Sequence, residues 1–145
     1  MFEFLGQYAH SLDDKGRATI PSAFREGLEE GLVITRGKQH YLNLFPLEKW
    51  DALTKGFEGL PVYTQERPAN LRRLVLAHAA KTKPDSHGRI RIPDHLRTYA
   101  RIEGQAVLAG VGDHIEIWAP DLWQQQLEVL ETISIDDEQE DMLRI

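Results

Sequence analysis

The 145-residue sequence contains no cysteine. That excludes a disulfide framework, a thiolate nucleophile and cysteine metal ligands, and it fits a reducing cytosol. No apolar run approaches the roughly 20 residues of a membrane helix. The N-terminus lacks the basic stretch and apolar run of a secretory signal, so none is expected. Catalytic spacing is missing as well: His10, His40, His78, His87, His95 and His114 form no HxxxH or HExxH pattern. There is no G-x-S-x-G elbow and no phosphate-cradling glycine-rich loop. Neither an enzyme nor a cofactor or metal is expected. Excess positive charge is lacking too, with a formal net charge of −6.

The charge that is present is unevenly placed. Residues 128–145 hold seven carboxylates against Arg144, which accounts for the whole −6. The rest of the chain is balanced, and residues 65–97 carry Arg67, Arg72, Arg73, Lys81, Lys83, Arg89, Arg91 and Arg97 against Glu66, Asp85 and Asp94, a local +5. Such asymmetry suits a nucleic-acid face with an acidic tail elsewhere. A solvated surface with a disordered end would look the same, and the end beyond Ser134 is expected to be loose.

One phrase occurs twice. Asp13-Asp14-Lys15-Gly16-Arg17 leads into Ile20-Pro21 and Arg25, and in the second half of the chain Asp85-Ser86-His87-Gly88-Arg89 leads into Ile92-Pro93 and Arg97. From Asp13 to Arg25, six positions are identical between the copies, where about one is expected by chance. Leu42-Asn43-Leu44-Phe45 with Trp50 recurs as Ile115-Glu116-Ile117-Trp118 with Trp123, at an offset longer by one. The repeat units are read as 7–51 and 79–124, with 125–145 as a helix end and acidic tail. Two copies are too few for a solenoid, and a unit of about 45 residues is marginal alone. A pseudo-twofold pair sharing one core is expected.

Each copy reads as a strand, the Gly turn, a returning strand, a short helix opened by Pro21 or Pro93, two further strands, and a helix from Pro46 or Pro120. A breaker-rich linker, Gly56 to Pro68, joins the copies, followed by a helix with Leu71, Leu74, Val75 and His78 on its apolar side and Arg72 and Arg73 outward. Trp50, Trp118 and Trp123 read as core or subunit-interface anchors.

Asp, Gly and Arg in a tight turn are ordinary hairpin chemistry, with Asp accepting backbone N–H bonds and pairing with the Arg four positions on. Hairpin turns do not, however, need Arg after Gly. Cations also cluster around both turns: Lys15 and Arg17 at one, Lys81, Lys83, His87, Arg89 and Arg91 around the other. An Arg fork suits phosphate oxygens and guanine edges, and a two-stranded ribbon fits the major groove. These seven are the candidate DNA contacts, with Asp13, Gly16, Asp85 and Gly88 as turn-positioning residues. Asp85, His87, Asp94 and His95 could meet at a metal, but the first copy has no matching set.

The two DxxxR turns, each followed by Ile-Pro and a short helix, together with Leu71-Arg72-Arg73-Leu74-Val75-Leu76, Phe45-Pro46 and Trp118-Ala119-Pro120, resemble the MraZ family of bacterial transcriptional regulators, built from two SpoVT-AbrB-type domains. The resemblance covers all but the last ten or so residues. It implies a mixed α+β, mainly β fold: a swapped-hairpin, AbrB-like β-barrel formed by the two repeats, with short helices. It further implies a cytoplasmic, nucleoid-associated protein that binds double-stranded promoter DNA through strands and loops. Such a protein would form a ring-shaped homo-oligomer on short direct repeats and repress the division and cell-wall gene cluster. Asp13, Lys15, Gly16 and Arg17 match the first motif, and Asp85, Gly88 and Arg89 the second. His87 stands where the first copy has Lys15, and an unperturbed imidazole is mostly uncharged at neutral pH, so the second turn is expected to hold phosphate less well. The alternative is a protein-interaction, antitoxin-like module.

Overall fold

The computed structural model describes residues 2–133 and 141–142. The first copy supplies β1 (Phe4–Ser11), β2 (Arg17–Thr19), α1 (Ser22–Arg25), β3 (Leu32–Arg36), β4 (Leu42–Pro46) and α2 (Leu47–Lys55). After α3 (Glu66–Leu76), the second supplies β5 (Ala80–Thr82), β6 (Arg89–Arg91), α4 (Asp94–Ala100), β7 (Gln105–Gly112), β8 (Ile115–Trp118) and α5 (Pro120–Glu131). Pro21, Pro46 and Pro93 are the N-cap residues of α1, α2 and α4, and Pro120 opens α5. Their fixed φ and missing N–H cost nothing there, and they stop the preceding strands.

Six strands form one sheet in the order β1-β7-β8-β4-β3-β5, while β2 and β6 form a separate antiparallel ribbon. The order reads the same from either end once the copies are exchanged. The register shows why. Asn43 lies opposite Glu116 with Leu42↔Ile117 and Leu44↔Ile115 on either side, and Ala18 lies opposite Ile90 with Arg17↔Arg91 and Thr19↔Arg89 on either side. A pseudo-twofold axis therefore passes through both pairs.

The fold is mixed, mainly sheet with short helices, as expected, but the sheet does not close into a barrel. Its edges are the long β1, paired to β7, and the short β5, paired to β3. The strands that follow the two turns leave the sheet and pair with each other instead. Expectations of a hairpin within each copy are corrected by the same fact: the two sides of the first turn are joined by the isolated bridge Leu12↔Ala18 and by Asp13 N–H donating to the Arg17 carbonyl at 3.0 Å, not by a continuous ladder.

One core lies between sheet and ribbon. Ala18 and Ile20 from the first copy and Ile90 and Ile92 from the second meet Leu32, Ile34, Leu42, Leu44, Leu108, Ile115 and Ile117, with Phe4 and Phe24 set edge to face. Each buried Ile or Leu contributes about 1.5–3 kcal/mol. Neither copy encloses this core alone.

The linker helix differs from expectation. α3 begins at Glu66, so Pro68 lies in its first turn, where no N–H is required, and His78 falls beyond its end. Thr35 Oγ1 donates to the Val75 carbonyl at 2.7 Å, tying α3 to β3. Leu71 and Leu74, expected on a buried face, are each 50% exposed. β7 is one of the two longest strands, running from Gln105 to Gly112. The acidic end beyond Ser134 lies outside the described residues, Asp141 and Met142 apart.

Candidate nucleic-acid interface

The two turns have the same construction. In the first, Asp13 Oδ1 accepts the N–H groups of Lys15 and Arg17, each at 2.9 Å, and Oδ2 accepts from Arg17 Nε at 2.6 Å. In the second, Asp85 Oδ1 accepts from His87 and Arg89, again at 2.9 Å, and Oδ2 from Arg89 Nε at 3.0 Å. The turn itself is closed by Gly16 N–H to Asp13 O at 3.1 Å and Gly88 N–H to Asp85 O at 3.0 Å. Gly16 and Gly88 sit at φ +75° and +73°, where a side chain is strained.

These bonds stabilise the ionised carboxylates. The Arg17 backbone N–H, then its guanidinium and the Lys15 N–H, outweigh desolvation and lower Asp13 to about 2. Asp85 is lowered for the same reason, chiefly by the Arg89 backbone N–H. Each carboxylate engages the Arg at Nε, which leaves the two terminal nitrogens of the fork outside that bond.

The ribbon brings the turns together. Ala18 and Ile90 face the core, so alternation places Arg17, Thr19, Arg89 and Arg91 on the opposite face. Arg89 Nη1 comes within 4.0 Å of Asp13 Oδ2, linking the turns directly. Arg17 and Arg91 are cross-strand partners, a like-charge pairing that costs up to about 1 kcal/mol. Asp13 offsets part of this at Arg17, and Asp94, 3.7 Å from Arg91 Nη2, at the other. Arg91 Nε also donates to the Lys15 carbonyl at 3.3 Å. Lys15 and His87 are exposed at the turn tips.

Of the other cations of the +5 segment, Arg97 lies against the first turn, while Lys81 and the three arginines of α3 belong to other elements. Lys81 lies on β5 opposite Val33, at the edge of the large sheet, and Lys83 follows that strand just before the second turn. Arg67, Arg72 and Arg73 belong to α3, where Arg73 pairs with Glu66 at 2.7 Å. A sequence window cannot tell which residues share a surface, because the chain crosses from helix to sheet edge to ribbon within it. The suggested metal set is not assembled either: Asp94 pairs with Arg97 and Asp85 with Arg89, and among the described residues no metal-competent group of three or more His, Cys, Asp or Glu is gathered.

Thr19, Arg25 and Arg97 were not among the expected site residues. Thr19 shares the outer ribbon face, and Arg25 and Arg97 lie against the turns. Their signal was present in the sequence, since both Arg residues stand eight positions after the Arg of their turn. The tryptophans act as packing groups: Tyr41 stacks on Trp118 at 4.6 Å, and Trp123 Nε1 donates to Gln7 Oε1 at 2.7 Å.

Two comparisons bear on this arrangement. The family model described as "MraZ protein, putative antitoxin-like" matches twice, over residues 3–73 and 75–145. A protein of Herpetosiphon aurantiacus named transcriptional regulator MraZ is 47% identical over 125 residues, covering 86% of this chain and 87% of that one. Proteins of the same name from Roseiflexus sp. and Carboxydothermus hydrogenoformans are 44% identical over 128 residues (88% and 89% of the two chains) and 41% identical over 120 residues (83% of each). The names are those of regulators, not enzymes. With the family model matched over both halves and close relatives aligned along most of the length, this chain belongs to the MraZ family.

Proposed function

We propose that the chain is a DNA-binding transcriptional regulator whose contact surface is the β2–β6 ribbon with its two turns. The observation that carries this reading is the pair of matched Asp–Arg turns set side by side on one exposed ribbon. Arg17, Arg89 and Arg91 meet phosphates or guanine edges from this face, Lys15 and His87 meet phosphates from the tips, and Lys81 and Lys83 add flanking charge. Asp13 and Asp85 hold the forks, and Gly16 and Gly88 make the turns. The names of the relatives support regulation of transcription, and no described helix is long and apolar enough to cross a membrane.

In its finer form, the protein is cytoplasmic and nucleoid-associated, and represses the division and cell-wall gene cluster from short direct repeats. The exchange of strands between 7–51 and 79–124 supports reading the fold as a swapped-hairpin arrangement. One chain offers about four to six phosphate contacts, each changing the salt slope by about 0.9, so a single subunit binds weakly. A ring aligns several ribbons on repeats about 10 bp apart, and avidity then adds about 10²–10⁴. The half-exposed Leu71 and Leu74 give α3 an apolar face for a neighbouring subunit.

Selection of bound sites from random DNA at two salt concentrations, followed by gel-shift titration, tests the reading. A repeated short motif with steep salt dependence is expected; no enriched sequence would reject it. Light scattering tests the ring, for which the single-chain mass of 16.6 kDa would be the contrary result. The family description "antitoxin-like" favours one second reading, a protein-interaction module. Partner capture that survives nuclease treatment, with no DNA binding by the purified protein, would support it.

A further inference from the structure

Each turn is overlaid by an arginine from the other copy. Arg97, on α4, donates through Nε to the Ile92 carbonyl at 3.0 Å. Its guanidinium then lies across Gly16 of the first turn, so closely that an added Cβ there would sit 2.6 Å from Cζ. Arg25, on α1, does the reverse: Nε donates to the Ile20 carbonyl at 3.1 Å, and a Cβ on Gly88 would sit 2.9 Å from that nitrogen. The backbone crosses in the same sense, with Ile92 N–H donating to Gly16 O at 2.9 Å and Ile20 N–H to Gly88 O at 2.8 Å. Each glycine is thus held at its carbonyl and covered at its α-carbon by the opposite copy. Glycine is the residue with the widest φ/ψ freedom, so a turn that must aim Lys15 and Arg17 gains most from an outside clamp.

We infer that Arg25 and Arg97 are positioning residues for recognition, each acting on the turn of the opposite copy: Arg97 on Asp13–Arg17, Arg25 on Asp85–Arg89. This rests on the reading of the turns as the DNA-contact surface. The clamps are unequal. Arg97 is anchored by Asp94, whereas Ser22 stands at the corresponding place beside Arg25. The first turn is therefore held more firmly than the second.

Double-mutant cycles on a duplex carrying the selected site test this. Arg97→Ala is expected to weaken binding about tenfold with an unchanged salt slope. That loss should largely vanish in an Arg17→Ala background and persist in full in an Arg89→Ala background; Arg25→Ala should show the opposite dependence. Arg97→Met, which keeps the apolar stem, replaces Arg97→Ala if the latter does not fold. A salt slope reduced by about 0.9 would overturn the inference in favour of direct phosphate contact. Equal losses in both backgrounds, or coupling within one copy, would overturn it too. In the free protein, Arg97→Ala should move the amide resonance of Gly16 more than that of Gly88. A shifted Gly16 resonance without any DNA binding by the parent protein would retain the clamp but remove its role in recognition, locating the failure in the DNA reading.

Discussion

The first and second turns share a framework and differ in what they carry. Asp Oδ1 accepts the same two backbone N–H groups, Asp Oδ2 the same Nε, and the trans copy holds the same glycine. Yet Lys15 becomes His87, Thr19 becomes Arg91, Ser22 becomes Asp94, and Ala9 and Ser11 stand where the second copy has Lys81 and Lys83. The difference teaches that the backbone of this motif and its charge are separable. Asp, Gly, Arg and Ile-Pro set the geometry; the residues between them set how much cation each turn presents and how tightly its clamp is fixed.

The harshest test removes what the turns share. Arg17→Ala/Arg89→Ala is expected to lower operator affinity by about 100-fold or more, since each well-placed Arg contact is worth about 1–3 kcal/mol. Circular dichroism should show the fold intact, because both side chains lie outside the core. Retained binding in a gel-shift titration would break the shared-contact reading. Of the single variants, Arg17→Ala should cost more, because its turn carries Lys15 and the anchored clamp; equal losses would erase the asymmetry.

Stability separates the turns next. Ala at Gly16 or Gly88 must adopt positive φ, a cost of about 1–2 kcal/mol, and must also displace the overlying Arg. Three guanidinium atoms of Arg97 would lie under 3.0 Å from the new Cβ at position 16, but only Arg25 Nε at position 88. Asp94 further restrains Arg97. Urea denaturation should therefore show Gly16→Ala as the more destabilised variant.

Acid should act on both turns in the same direction. Asp13 is lowered from 3.8 to about 2, and Asp85 is also lowered from 3.8. A depressed carboxylate contributes stability that is present in full above its unfolded value and is lost as pH falls through the folded one. The first turn should thus weaken progressively from about pH 4 towards about pH 2, and the second should weaken in the same direction as pH falls below its unfolded value. Asp13→Asn should flatten that part of the pH–stability profile, and Asp85→Asn should flatten it by its own share. A profile unchanged by either substitution would mean that the carboxylates do not hold the turns.

Much of this comparison was legible in the sequence because it depends on local chemistry. The six identities between the copies, the Asp–Arg pairing and the Gly-dependent turns are all written between Asp13 and Arg25 and again between Asp85 and Arg97. Pairing across copies was not legible: a strand as short as Arg17–Thr19 carries no sign of its partner, and Arg89–Arg91 lies in the other half of the chain. The open sheet was missed for the same reason, since β5 is too short for its pattern to reveal where it ends. The α3 stripe misled because periodicity reports which residues share a face, whereas Leu71 and Leu74 remain half exposed on theirs.

The smallest expected effect concerns the turn tips, where the copies differ by one side chain in the same backbone setting. Lys15 and His87 each give their backbone N–H to the turn carboxylate, so substitution leaves that bond in place. Both are exposed, so neither exchange disturbs packing. What changes is charge. If the tip touches phosphate, His87→Lys should tighten binding a few-fold and raise the salt slope by up to about 0.9, and Lys15→His should do the converse. An exposed cation that merely sits in the field of the DNA would change affinity by a similar factor at low salt and by much less at about 0.15 M, where screening acts over about 8 Å. Titration of the two exchanges at both salt concentrations therefore distinguishes contact from proximity, and identical behaviour of wild type and His87→Lys at each would show that the tips do not distinguish the two turns.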